Sequence, residues 1–396
     1  MTGNTPHSAR RTVGLLAACQ AMLLSNNSTL IAINGLAGLA LAPTAALATL
    51  PVTCWVVGGA LSTMRASLYM RRVGRRRGLM RATGVGMAGA LVCAAAVSMS
   101  SFWLLCLGTL IFGTYNAFGQ YYRFVAAEVA SADFRATAVS LVLAGGLVGG
   151  VVGPTTSRFT IDLIRPHFAG GYLALIGFAL VTLALLSRLR LPATHGDADA
   201  ASGRPLSEIA AQPKFFVAVL SGAIGYGVMN FLMTSTPLAM RACGYPYGDA
   251  AFVISSHVVA MFAPSFVTGG LIRRFGVLRV MLAGALLNVA CIGIALSGVE
   301  VAHFWLSLVM LGVGWNFLYI GGTTLLTESY RPEERARAQG ANESAVFAMM
   351  VMSSLGSGAI VTHGGWEKVN LAALPLVGIV IAALAWLALK QRPAAA

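Results

Sequence analysis

The chain has 396 residues, 57% hydrophobic and only 10% charged, with a net charge of +14 and a mean hydropathy of +0.77. Soluble domains carry about 25% charged residues, so this composition excludes an ordinary soluble protein. A basic excess of this size would suggest nucleic acid in a soluble chain, but the placement of the charge excludes that partner too.

No Asp, Glu, Lys or Arg occurs from Thr12 to Met64 or from Ala82 to Tyr122. The same holds over 136–157, 166–187, 215–240, 250–272, 280–299, 301–327, 344–366 and 369–389. A helix needs about 20 apolar residues to cross the hydrocarbon of a bilayer. Eight of these gaps hold one crossing each. The first two hold two each, divided near Leu41-Ala-Pro43-Thr44 and Ser98-Met-Ser-Ser101. The chain therefore reads as an all-α membrane protein with 12 transmembrane helices, spans 1 to 12. Its first hydrophobic segment is too long for a cleaved signal peptide and is expected to remain as span 1.

With the N-terminus inside, 23 of the 27 Lys and Arg residues fall on the inner side, and only Arg158, Arg165, Arg241 and Lys368 fall outside. The positive-inside rule then puts both termini in the cytoplasm, as expected for a bacterial-style inner membrane. The basic clusters become topological anchors beside anionic membrane lipid. Cys19, Cys54, Cys93, Cys106 and Cys291 lie within spans, where cysteine acts as a small apolar residue, and Cys243 is alone on the outer side. The spans hold no paired acids, metal-ligand cluster or Ser-His arrangement, so neither an enzyme, a metal site nor a cofactor is expected.

In chain order, span 1 carries Gln20, Ser25, Asn26, Asn27, Ser28 and Asn34. Span 2 runs into Ser67-Leu-Tyr-Met-Arg71-Arg72-Val-Gly74, followed by Arg75, Arg76 and Arg77. Span 4 carries Tyr115, Asn116, Gln120, Tyr121 and Tyr122 and ends at Arg123, with Glu128 beyond it. Span 5 contains Gly145-x-x-x-Gly149-x-x-x-Gly153-Pro154. Small residues at that spacing let helices approach closely, and packing is read ahead of an efflux signature. Between Leu191 and Gln212 lies a polar stretch of linker composition, with a short helix expected at 206–211. Span 7 carries Tyr226, Asn230, Thr234, Ser235 and Thr236, and span 8 has His257 near its middle. Span 10 carries Trp315, Asn316, Tyr319, Thr323 and Thr324, with Glu328 following. Pro332-Glu333-Glu334 reads as a helix start, because Pro suits the first turn and acids favour the positive end of the helix dipole.

The chain also repeats itself. Ser67 to Gly74 matches Gly269-Gly-Leu-Ile-Arg273-Arg274-Phe-Gly276, and Phe102-Trp103 matches Phe304-Trp305, each 202 positions later. The offset then becomes 200, pairing Asn116 with Asn316, Glu128 with Glu328 and Arg135 with Arg335. Two homologous six-helix halves in parallel orientation follow, 1–190 and 214–396, joined by a cytoplasmic linker at 191–213.

A parallel six-plus-six repeat with a central linker resembles the major facilitator superfamily of secondary transporters. Its most specific element is the loop after span 2, where the family carries Gly-x-x-x-Asp-(Arg/Lys)-x-Gly-(Arg/Lys)-(Arg/Lys). Here Ser67 stands for the Gly and Arg71 for the Asp, while Arg72, Gly74, Arg75 and Arg76 are retained. The second copy keeps Gly269, Arg274 and Gly276, with Arg273 at the acidic position. In the family that acid helps latch the inner face, so the latch must differ here. Arg72, Gly74, Arg274 and Gly276 are the gating candidates, with Glu128 and Glu328 as charge partners. Arg75 to Arg77 read equally well as anchors alone.

In this family spans 1, 4, 7 and 10 line a central cavity, and these are the spans richest in polar side chains here. The resemblance implies a cavity formed by Asn26, Asn27, Asn116, Gln120, Tyr226, Asn230, Trp315, Asn316 and Tyr319, offering amide hydrogen bonds and aromatic stacking without fixed charge. Bonding between neighbouring helices is the alternative for any one of them. His257 is the candidate proton site, since its intrinsic pKa suits proton exchange, with a bond to a backbone carbonyl as the alternative. Gly225-Tyr-Gly-Val-Met-Asn230, Phe262-Ala-Pro-Ser-Phe266 and Gly314-Trp-Asn-Phe317 are similar to a branch that includes bacterial riboflavin importers. The expectation is a monomeric carrier moving a small, mostly uncharged organic solute, such as that vitamin, by alternating access, with protons as the candidate coupling ion. A drug or metabolite efflux antiporter and a transport-dead sensor or scaffold stand as the alternatives.

Overall fold

The computed structural model describes residues 6–44, 47–191 and 203–391, so most of the polar linker, 192–202, lies outside the described residues. The described residues contain helices and no strand, as bilayer crossing requires of a single chain that is not a closed barrel.

In the first half, span 1 is α1 (Pro6–Leu41), span 2 is α2 (Leu50–Val73) and span 3 is α3 (Arg75–Ser98). Span 4 is interrupted, as α4 (Phe102–Gly119) and α5 (Tyr122–Val129), and spans 5 and 6 are α6 (Arg135–Thr160) and α7 (Ala169–Ser187). A short helix α8 (Leu206–Ala210) then leads into the second half. There α9 (Pro213–Ala242) is span 7, and α10 (Tyr247–Phe262) with α11 (Ser265–Phe275) forms span 8, bent by 42°. Spans 9 and 10 are α12 (Val277–Ser297) and α13 (Val301–Thr327). Spans 11 and 12 run together as α14 (Arg335–Lys390), broken at Gly365 with φ 72°. Among the described residues nine helices are long and apolar enough to cross on their own, ten with the bent pair. α2, carrying Arg65, Arg71 and Arg72, and the first part of α14 complete the twelve.

The chain forms two compact units. The first holds Met1–Ala130, Leu141–Ser202 and Gln339–Ser344; the second holds Ser131–Ser140, Gly203–Ala338 and Ala345–Ala396. They follow the two sequence halves except for a reciprocal exchange of one short segment each.

Within each unit the repeat is visible in the packing. α4 lies against α2 and α3, and α13 lies correspondingly against α10 and α12. Backbones meet where side chains are absent: a Cβ at Gly58 would lie 2.0 Å from the Leu110 carbonyl oxygen, and one at Gly113 2.2 Å from that of Trp55. The glycine ladder of α6 lies against α1. Added Cβ atoms at Gly145, Gly149 and Gly153 would come within 2.3–2.5 Å of Ala17, Leu24 and Ser28, and Thr29 donates to the Gly153 carbonyl at 3.0 Å. The motif is thus engaged in helix packing. The turns after α2 and α11 are equivalent too. Gly74 has φ 87°, ψ 149° and Gly276 has φ 85°, ψ 152°, a backbone that only glycine adopts freely. The supporting helices turn Leu91, Leu180, Leu286 and Ile379 outward, as lipid-facing surfaces should.

Candidate functional site

In the first unit, α1 and α4 bring three amides together. Asn27 donates through Nδ2 to Asn116 Oδ1 at 2.8 Å, and Gln120 donates through Nε2 to the same oxygen at 3.2 Å. Asn116 and Gln120 share a face because they are one turn apart. Asn27 Oδ1 has no partner among the described residues. Asn26, next along α1, is fully buried and takes no part in this cluster. Other polar groups of span 1 serve the helices themselves: Ser25 and Thr29 bond carbonyls one turn back, and Asn34 accepts from the Tyr172 hydroxyl at 2.8 Å.

The polar chain continues from Gln120. Arg123 donates to the Gln120 carbonyl at 3.0 Å and through Nη2 to Glu343, which also accepts from Asn342 Nδ2 at 2.8 Å. Arg123 is 2% exposed and Glu343 0%. Two charges removed this completely from solvent persist only as a hydrogen-bonded pair. Sequence reading missed the pair. Its traces in the sequence are Arg123 at the end of span 4 and Glu343, an acid within the first turns of span 11.

Glu128 accepts from Arg75 Nη2 at 2.6 Å and from Gln339 Nε2 at 3.0 Å, and Arg75 also donates to Gln339 Oε1 at 2.6 Å. Glu128 is therefore held by Arg75, which the sequence left as readily an anchor, and not by Arg72. Arg72 is exposed. Arg274 lies over the neighbouring Phe275 ring at 5.2 Å. Glu328 faces Lys214 at 3.6 Å with both side chains well exposed, a geometry that contributes little.

In the second unit, Trp315 stacks on Tyr319 at 4.8 Å and 20°, and meets Tyr226 and Phe262 edge-on at 5.6 and 5.7 Å. Its indole N–H is buried without a hydrogen-bond partner among the described residues. Phe262, which the polar pattern of the spans does not single out, joins this cluster. Asn230 donates to Ser353 Oγ at 2.9 Å. Asn316 departs from its repeat partner Asn116. It donates to the Met261 carbonyl at 2.7 Å and to Ser265 Oγ at 2.6 Å, and accepts from Thr268 at 2.7 Å. Its amide bridges the break between α10 and α11. His257 is fully buried with Nδ1 2.7 Å from the Leu308 carbonyl oxygen, so the backbone-carbonyl alternative describes its geometry. No group of three or more His, Cys, Asp or Glu among the described residues has the arrangement of a metal site.

At the start of α14, Glu334 is fully buried in a 3-10 turn and accepts from Arg204 Nε at 2.7 Å and Nη2 at 2.8 Å, and from the Arg331 backbone N–H at 2.9 Å. Arg337 donates to the Gly203 carbonyl at 3.4 Å. This clips the visible end of the linker to α14. The Arg204 guanidinium and these backbone donors hold the Glu334 carboxyl down at about 2 against an ordinary 4.5. A depressed carboxylate stabilises above its unfolded pKa and loses that contribution as pH falls toward the folded one. Glu334→Gln is therefore expected to lower the unfolding temperature at pH 7, with the gap to the parent closing between about pH 4.5 and 2. Equal unfolding temperatures at pH 7 would show that the clip adds no stability.

A model of the Major Facilitator Superfamily matches residues 14–264 and 219–396. Over 392 residues the chain is 41% identical to the riboflavin transporter RfnT of Brucella anthropi, covering 98% of each. It is 28% identical over 358 residues to the MFS-type transporter YddS of Bacillus subtilis, 86% of this chain and 82% of that one. Among solved structures, the proton:xylose symporter XylE superposes with a TM-score of 0.79 at 14% identity, over 96% of this chain and 95% of that one. The transporter FucP gives 0.76 at 16% identity, over 94% and 98%. Identities this low speak to the fold alone.

Proposed function

We propose, from the premise that this chain belongs to the Major Facilitator Superfamily, that it carries riboflavin or a close analogue across the membrane by alternating access. The observation that carries the substrate is the full-length 41% identity to a riboflavin transporter. The chemistry of the two clusters suits such a solute. A flat ring matches the aromatic group of Tyr226, Phe262, Trp315 and Tyr319, where the buried indole N–H can meet a ring carbonyl. In the first unit, the free amide oxygen of Asn27, beside Asn116 and Gln120, offers neutral hydrogen bonding of its own. Neither cluster presents a fixed charge. In this reading Asn316 positions α10 and α11 and does not touch the solute, and Asn230 stands with the ligand-facing residues of the second half.

The gate is proposed at the chain exchanged into the first unit. Gln339–Ser344 is held there by Arg75 with Glu128 and by Arg123 with Glu343, and alternating access requires these bonds to be remade. Glu343, bonded to the amide chain through Arg123, is a better-connected proton carrier than His257. The charge asymmetry supports an inner-membrane protein with both termini cytoplasmic. The glycine ladder of α6, engaged on α1, gives efflux no support.

Cells unable to make riboflavin, expressing this chain, are expected to accumulate labelled riboflavin and to grow on low external vitamin. Expression without accumulation would overturn the substrate. Faster loss of preloaded label would overturn the direction.

A further inference from the structure

Beyond solute transport, the second unit carries a basic cavity that neither cluster uses. It measures about 840 Å³ and is lined by Arg135 and Ala136 of α6, Gly270, Arg273 and Arg274 of α11, and Glu328, among others. Arg135, Arg273 and Arg274 form no ion pair among the described residues. They face two carboxylates in the lining, Asp133 and Glu328, and Glu328 already has Lys214 at 3.6 Å. The first turn of α6 adds the positive end of a 26-residue helix.

The internal repeat explains why this space is open. In the first half Arg75 fills the equivalent region and bonds Glu128 and Gln339. The second half has Val277 where the first has Arg75, and Val139 of α6 is the repeat partner of Gln339. Glu328 thus lacks the arginine that Glu128 has, while Arg273 stands at the position where the family carries an acid.

We infer that this cavity binds a phosphate ester, the headgroup of an anionic phospholipid. Guanidinium groups match phosphate oxygens in a two-pronged geometry, and basic pockets between membrane helices bind anionic headgroups. The lipid source follows from the same helix. α11 presents Phe266 at 63% and Val267 at 57% exposure, two turns before Arg273 and Arg274 and on the same faces, an apolar strip leading to the arginine pair along which an acyl chain can lie. Free inorganic phosphate would use the arginines but not the strip.

Gly270 gives a test that leaves the charge untouched. A Cβ there meets nothing within 4 Å, so Gly270→Leu can be built into the cavity without displacing backbone. The full-length protein is purified into neutral phosphatidylcholine, titrated with phosphatidylglycerol, and its bound lipid counted by native mass spectrometry. The parent is expected to hold one phosphatidylglycerol in preference to phosphatidylcholine. Gly270→Leu and Arg273→Gln should each weaken it about tenfold or more, as for a lost charge-assisted hydrogen bond. Arg279→Gln, at an exposed arginine outside the cavity, should bind like the parent. Equal retention of both lipids, parent-like binding by Gly270→Leu, or an equal loss in Arg279→Gln would overturn the site. Complete displacement of the lipid by about 1 mM inorganic phosphate would overturn the lipid as its source.

Discussion

Arg123→Ala is expected to destabilise the protein by about 3–5 kcal/mol, the cost of leaving one member of a buried ion pair uncompensated. With Arg123 removed, Glu343 keeps Asn342 as a donor but loses its counter-charge in a site with no solvent exposure. Glu343→Gln should be milder. Arg123 still donates to the Gln120 carbonyl and lies over the Phe124 ring at 4.5 Å, so its charge is not left bare. Replacing both with apolar residues of similar volume, Arg123→Met with Glu343→Leu, should return most of the stability, because such replacements are often neutral or stabilising. Thermal unfolding of the four purified proteins checks the order. Transport then separates two roles. A double variant that is as stable as the parent but does not transport places the pair in the conformational cycle or proton path. A double variant that transports normally would make the pair structural and sink the proposed gate. Unchanged stability in Arg123→Ala would mean the pair does not form in the membrane.

Much of this architecture is written in the sequence because the bilayer tolerates so little. Charge-free gaps of bilayer width are visible without any structure, and the breaks at Pro43 and Ser98–Ser101 fall between helices. The 202-residue offset likewise anticipates Gly74 and Gly276, which adopt the same left-handed turn. The partners of the buried charges were not legible. Arg123 and Glu343 lie 220 residues apart, and the exchange that brings Gln339–Ser344 into the first unit leaves no periodic signal. Polarity shows which helices carry amides but not which face they use. Asn116 and Asn316 make the point. The second half has Pro264 where the first has Ser62, so α2 is continuous while span 8 breaks. Pro264 has no N–H, which interrupts the helical ladder. Asn316 is drawn into the break, bonding Met261, Ser265 and Thr268, whereas Asn116 has no such demand and bonds Asn27. One proline thus divides two residues that the repeat makes equivalent.

Trp315→Ala is expected to be the most damaging change at the proposed riboflavin site, costing about 3–5 kcal/mol of stability as a large buried aromatic is lost. Trp315 is 2% exposed and holds Tyr319 by stacking and Tyr226 and Phe262 edge-on. Its removal would let three rings relax at once, so weaker binding in this variant alone would not separate ligand contact from disorder. Trp315→Phe supplies the separation. It keeps an aromatic face for Tyr319 and deletes the indole N–H, which is buried without a partner among the described residues. A donor left so has already lost its water, and a ligand carbonyl that reaches it restores one hydrogen bond. Trp315→Phe should therefore fold with at most a small loss and bind riboflavin up to about tenfold more weakly, the equivalent of roughly 0.5–1.5 kcal/mol. Quenching of flavin fluorescence by the purified protein measures this, with lumichrome, the ring without its tail, as a second ligand. If the second unit holds the ring, Trp315→Phe should weaken both ligands by a similar factor. Trp315→Phe binding both as tightly as the parent would remove the indole N–H from recognition.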